Sequence, residues 1–144
     1  MITTKLLMID DEESFVSALS KRLALRDIEV IPAFSGQEGL KRLAEDTSIE
    51  VALLDVKMPE MDGIETLKRI KATHPLVEVI MLTGHATFET AIEGMKLGAF
   101  DYLMKPCEIE DLIGKLEAAK KRHQEHLEKI MEAAGKKLRG ERGR

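Results

Sequence analysis

The 144-residue chain holds one cysteine, Cys107, so no internal disulfide can close, and no cysteine or histidine pair has the spacing of zinc ligands. Cys107 follows Lys105-Pro106 at an expected helix start, where a small half-buried thiol is ordinary and implies no redox role. No apolar run approaches the roughly 18 residues of a membrane span. The amino terminus lacks the basic, apolar and small-residue order of a secretory signal, so a cytoplasmic location without membrane contact is expected. A glycine-rich phosphate loop is also missing. The first apolar run meets Asp10-Asp11-Glu12 where a dinucleotide fold carries Gly-x-Gly-x-x-Gly, and no Gly-Lys-Ser/Thr occurs, which sets nucleotide binding aside.

What is present suits one domain with one core. The net charge of −4 is unevenly spread: residues 120–144 hold nine Lys or Arg against four Glu, a surplus of +5 that leaves −9 on the first 119. That basic segment has no aromatic residue to stack on bases. A solvated helix end is expected there, and direct nucleic-acid binding is not.

Five short apolar runs, residues 5–9, 29–33, 51–55, 78–83 and 101–104, alternate with amphipathic stretches, which predicts βα units around a parallel sheet. The second and fifth runs are the least apolar and should form the sheet edges. Helical spacing places Phe15, Leu19, Leu23 and Ala24 on one inward face, then Gly39, Leu40 and Leu43, then Ile64, Leu67 and Ile70, then Ala91, Ile92 and Met95. Ser35 and Asp62 read as helix caps, and Gly98 as a stop.

The last helix should begin near Glu108 with Ile109, Leu112, Ile113, Leu116 and Ala119 inward. Its apolar stripe continues through Leu127, Ile130, Met131, Ala134 and Leu138 until Gly135 and the Gly140–Arg144 tail are expected to break it. The predicted organisation is a domain over 1–119 and a basic helical extension with a flexible tail over 120–144. The stripe has three readings: pairing two chains, lying on this domain, or leading to a further domain. His123 and His126, three apart on that helix, lack a third metal ligand, and together with His74 and His85 they are expected at the surface.

Four of the five runs end in polar residues: Asp10-Asp11, Asp55, Thr83 and Lys105. In a doubly wound sheet the carboxyl ends of the strands share one rim, where ligands bind. Three carboxylates together repel unless a cation sits among them, and an all-oxygen set suits Mg²⁺. Asp55 is then placed to attack a phosphoryl group, with Mg²⁺ and Lys105 neutralising its oxygens and Thr83 donating a hydrogen bond. A phosphatase of the haloacid type would want a second acid two residues after Asp55, where Lys57 stands.

Asp10-Asp11, Asp55 with Met58-Pro59-Glu60-Met61-Asp62-Gly63, Thr83-Gly84-His85-Ala86 and Asp101-Tyr102-Leu103-Met104-Lys105-Pro106 together resemble the receiver domain of two-component response regulators, over about residues 4–119. The wording is nearest to receivers of nitrogen-regulation-type activators, which precede an ATPase and a DNA-binding domain. The resemblance implies a chemotaxis-regulator-like α/β fold, a five-stranded parallel sheet in the order 2-1-3-4-5 with five helices and an extended C-terminal helix. It implies phosphorylation of Asp55 by a sensor histidine kinase or phosphotransfer protein. Mg²⁺ would be held by Asp11, Asp55 and the backbone leading to Lys57, with Asp10 contributing partly through water. Thr83 and Tyr102 would form a switch pair reporting to a downstream protein target, and Lys105-Pro106 would be a cis peptide. Catalysis would be limited to the chain's own phosphorylation and dephosphorylation. A homodimer is expected through the face of the fourth helix, fifth strand and fifth helix, or through the C-terminal helix. Lys57 and His85, each two residues beyond a site residue, border the path of hydrolytic water in that family, and slow dephosphorylation is expected.

Overall fold

The computed structural model describes residues 4–58, 60–84 and 87–142, with side chains through residue 135. Pro59, His85 and Ala86 of the motifs, and the Leu138 side chain of the stripe, lie outside the described residues. Strands and helices alternate: β1 (Thr4–Ile9), α1 (Glu13–Ala24), β2 (Ile28–Ala33), α2 (Gly36–Glu45), β3 (Val51–Leu54), α3 (Gly63–Thr73), β4 (Glu78–Thr83), α4 (Phe88–Lys96), β5 (Asp101–Met104) and α5 (Ile109–Arg142).

All strand pairs are parallel, in the order β2-β1-β3-β4-β5, so the two least apolar runs form the edges. Strands covered on both faces need side chains that are apolar in both directions. The last four residues of β1 and all of β3 and β4 are buried, and the core splits into two layers, one on each face of the sheet. One layer is centred on Leu7, Ile9, Leu54 and Leu67, the other on Leu6, Leu53, Ile80 and Leu112. Complete burial of each such Leu or Ile stabilises the fold by about 1.5–3 kcal/mol.

Local signals start and stop the helices where expected. Ser35 accepts from the Glu38 amide and Asp62 from the Glu65 amide, while Gly98, at φ 104°, takes the left-handed turn after α4. Three expectations fail. On α1 Leu19 and Leu23 are inward as expected, joined by Val16 and a partly buried Phe15, but Ala24 is exposed. On α4 the expected face is reversed: Ile92 and Met95 are 40% and 47% exposed, and Gly94 is the buried residue. A Cβ at Gly94 would sit 2.3 Å from the Met81 sulfur, so α4 lies close on β4 through a glycine and turns its larger side chains outward. Finally, α5 runs through Gly135 and Gly140 to Arg142, 34 residues or about 51 Å at 1.5 Å per residue. Glycine costs a helix about 1 kcal/mol relative to alanine, too little to end one flanked by good helix formers.

No helix among the described residues is long and apolar enough to cross a membrane.

Candidate functional site

Parallel pairing brings the carboxyl ends of β1, β3, β4 and β5 to one rim. The Asp55 amide donates to the Ile9 carbonyl at 2.9 Å and the Lys105 amide to the Thr83 carbonyl at 2.9 Å, so the residues just past four strands are stitched side by side. Asp10, Asp11 and Asp55 each offer an oxygen within 4.8 Å of the others. Asp10 and Asp55 are buried, at 3% and 2% exposure, and Asp11 is exposed at the mouth.

Lys105 enters from β5 past a cis Lys105-Pro106 bond. Its Nζ lies 2.6 Å from Asp10 Oδ2, 3.5 Å from Glu12 Oε1 and 4.0 Å from Asp55 Oδ2. Burial opposes the Lys105 charge, but the Asp10 hydrogen bond and the charges of Asp10, Asp55 and Glu12 prevail, and its pKa is raised. Burial raises the Asp10 pKa as well, despite opposing hydrogen bonds from Lys105 and the Glu12 amide. The pocket therefore holds one carboxyl, Asp10, that burial makes costly to charge, and one ammonium that stays charged.

Asp10 has two tasks. Its Oδ1 accepts from the Glu12 amide at 2.9 Å at the start of α1, while Oδ2 holds Lys105. The turn that leads into α1 and the acidic pocket thus share this one aspartate, while α1 itself has no side-chain cap.

Asp55 Oδ1 is buried without a hydrogen-bond partner. Such an acceptor beside two further carboxylates is a poor arrangement by itself and a good one around a hard cation. The donor set, oxygen throughout, fits a divalent metal held by Asp10, Asp11 and Asp55.

Thr83 is fully buried at the end of β4. Tyr102 stands beside Met81 in the β4–β5 register, half-buried, with its hydroxyl 3.9 Å from the Met104 sulfur. Burial raises its pKa, offset in part by a hydrogen bond with Thr90. The Lys57 side chain is exposed. The Cys107 thiol is half-buried, and burial followed by the nearby Asp111 charge pushes its pKa up, which makes it a poor nucleophile.

Two residues were missed by sequence reasoning. Glu12 shares the Lys105 ammonium, and the Phe15 ring lies 4.1 Å beneath it. The run Asp10-Asp11-Glu12 was the available signal for the first; Phe15, read only as core, gave none.

Among the described residues one acidic cluster of this kind exists, and it sits on the rim of a doubly wound α/β domain beside a strand-end lysine. That defines a class, a parallel-sheet domain with a carboxylate pocket at its strand ends whose donors fit a cation. The chain belongs to the response regulator receiver domain family, whose model matches residues 6–117. The family consists of the signalling receivers of two-component systems, which work with histidine kinases and downstream effectors and are not by themselves catalytic enzymes.

Transcriptional regulatory protein ZraR of Escherichia coli strain K12 is 40% identical over 114 residues, covering 79% of this chain and 26% of ZraR. DNA-binding transcriptional regulator NtrC of the same strain is 37% identical over 118 residues, covering 82% of this chain and 25% of NtrC. The chain thus spans about a quarter of the length of these curated relatives. A receiver domain protein from Clostridium thermocellum superposes with a TM-score of 0.80 at 39% identity, covering 84% of this chain and 97% of that one. NtrX from Brucella abortus gives 0.81 at 27% identity, covering 88% of this chain and 29% of NtrX.

Proposed function

We propose that Asp55 accepts a phosphoryl group from the phosphohistidine of a sensor kinase or phosphotransfer protein in the cytoplasm, and that the acyl phosphate resets a protein-binding face. The observation that carries this reading is the buried, unpartnered Asp55 Oδ1 beside two carboxylates and Lys105. A carboxylate oxygen of Asp55 attacks phosphorus, the phosphorus–nitrogen bond breaks, and the imidazole leaves with its electron pair. Asp10, Asp11, Asp55 and the Lys57 backbone would hold Mg²⁺, which would supply positive charge for the phosphoryl oxygens. Lys105, already charged, supplies more from the opposite strand. The Thr83 hydroxyl donates to a phosphoryl oxygen, and its shift changes the space open to the Tyr102 ring.

The responding face is α4 with β5 and α5. Phe88, Ile92, Met95 and Met104 are exposed there at 82%, 40%, 47% and 50%, an apolar area suited to a downstream protein or a second copy. The working unit is the receiver over 1–119 with the basic helical extension of 120–144. A second reading, the N-terminal receiver of a multidomain transcriptional activator, is favoured by the quarter-length match to ZraR and NtrC.

Incubation of the native chain with Mg²⁺ and a small phosphodonor should add one phosphoryl group by intact mass, mapped to the peptide holding Asp55 and not added when Mg²⁺ is chelated beforehand. No added mass in the presence of Mg²⁺ would refute the proposal. The isolated phosphoprotein should keep its label for minutes, because Lys57 stands exposed two residues past the acceptor and His85, outside the described residues, follows Thr83 at the same interval. Loss within seconds would rule out that shielding.

A further inference from the structure

The stripe that docks α5 on the sheet ends at Ala119, yet the next two turns stay against the domain. Lys120 Nζ donates to Thr4 Oγ1 at 2.8 Å, where β1 begins. Arg122 Nε lies 3.8 Å from Glu78 Oε2, where β4 begins. His123 Nδ1 is 2.6 Å from the Leu76 carbonyl oxygen just before β4, and its Nε2 faces Glu50, ahead of β3, at 3.8 Å. Gln124 Nε2 donates to the same Glu50 carboxylate at 3.4 Å. Four residues of a five-residue stretch thus grip the amino ends of three adjacent strands, on the rim away from the acidic pocket. Leu127 then walls a cavity of about 310 Å³ with Leu43, Ile49, Leu76 and Val77.

Glu78 separates a built grip from a chance one. It is 4% exposed and opens a strand that is otherwise buried and largely apolar, a position where a carboxylate is costly unless it is paired. Its ion partners among the described residues are Lys71 at 3.9 Å and Arg122 at 3.8 Å. Lys71 donates to the Pro75 and Val77 carbonyls at 2.9 and 3.0 Å, and the Glu78 charge supports its half-buried ammonium against desolvation. Arg122 pairs with no second carboxylate among the described residues and lies 5.8 Å over the Phe100 ring. The buried charge is thus shared between Lys71 of α3 and Arg122 of α5, one oxygen to each, and ties α5 to the start of β4.

We infer that residues 120–127 form a strap across the rim opposite the acidic pocket, with Glu78 as its positioning residue, which fixes the direction and rotation at which α5 leaves the domain. Leu127, Ile130 and Met131, exposed at 40%, 54% and 65%, are then presented at one setting relative to the sheet, not on a swivelling tether.

Hydrogen exchange of the full chain, read by mass spectrometry, tests this. In Glu78→Gln and in His123→Ala, amides of residues 123–131 should exchange at least about tenfold faster, while those of 112–119 and β3 keep their protection. Lys121→Ala, at an exposed position that touches none of these groups, should change neither. Unchanged exchange over 123–131 in both variants would overturn the strap. So would an equal effect from Lys121→Ala, or loosening spread evenly over the domain. Should Glu78→Gln fail to fold, His123→Ala and the exposed Gln124→Ala decide the matter by the same criteria.

Discussion

Asp55→Asn is expected to take up no phosphoryl group and, without metal, to melt at a higher temperature than the native chain. The first result follows from chemistry, since an amide oxygen is a far weaker nucleophile and carries no charge to hold a cation beside the incoming group. The second follows from the pocket. Asp55 is 2% exposed, its Oδ1 lacks a partner, and the oxygens of Asp10 and Asp11 are within 4.8 Å. Removing one charge from that cluster relieves burial and repulsion together, about 1–3 kcal/mol. Lys105 loses only a partner 4.0 Å away and keeps Asp10 at 2.6 Å. For a chain of this size the gain corresponds to roughly 2–12 °C. Intact mass and a thermal melt in chelator read the two effects separately. Equal phosphorylation of both chains would remove Asp55 from its role, and a lower melting temperature would refute the repulsion account.

Gly63→Ala should be the most damaging single methyl in the molecule. A Cβ there would stand 2.1 Å from the Asp55 carbonyl oxygen and 2.6 Å from Val56 Cα, both backbone atoms of the turn that aims the acceptor. The Gly63 amide also donates to the Val56 carbonyl at 2.7 Å, which ties α3 to the same turn. No side chain can swing aside, so helix or turn must move, at a cost of about 3 kcal/mol or more. A shift near 1 Å at a reacting group slows chemistry by about a hundredfold. Denaturant unfolding and the initial rate of phosphoryl uptake should therefore fall together. Gly114→Ala, where a Cβ meets nothing within 4 Å, is the control and should stabilise α5 by up to about 1 kcal/mol. Native-like stability of Gly63→Ala would show that the approach of α3 to the turn is softer than these distances require.

The strand order came from the resemblance to receiver domains, whereas the parallel sheet and the acidic rim were legible in the sequence because both rest on pattern, short apolar runs at regular intervals that end in residues with chemistry. The edge strands were legible for the same reason, since only strands covered on both faces need uninterrupted apolar runs. The buried face of α4 was not. Hydrophobic spacing weighs large side chains, whereas this contact is made by Gly94 against Met81, a close approach that has no hydrophobic signal. His123 was expected on a solvated helix face and instead points its ring at the Leu76 carbonyl. Its partners, a backbone oxygen 47 residues away and the carboxylate of Glu50, leave no trace in local sequence. The length of α5 was underestimated because two glycines were weighed as breaks and the good helix formers around them were not.

The glycine contact of α4 has an energetic side. A helix that puts its smallest residue against the sheet buries little apolar area there, and α4 leaves Phe88, Ile92 and Met95 to solvent. With so little area to surrender, it is the element whose displacement should cost the fold least. The Met81 thioether it rests on is flexible and polarizable, closer to a bearing than to a lock.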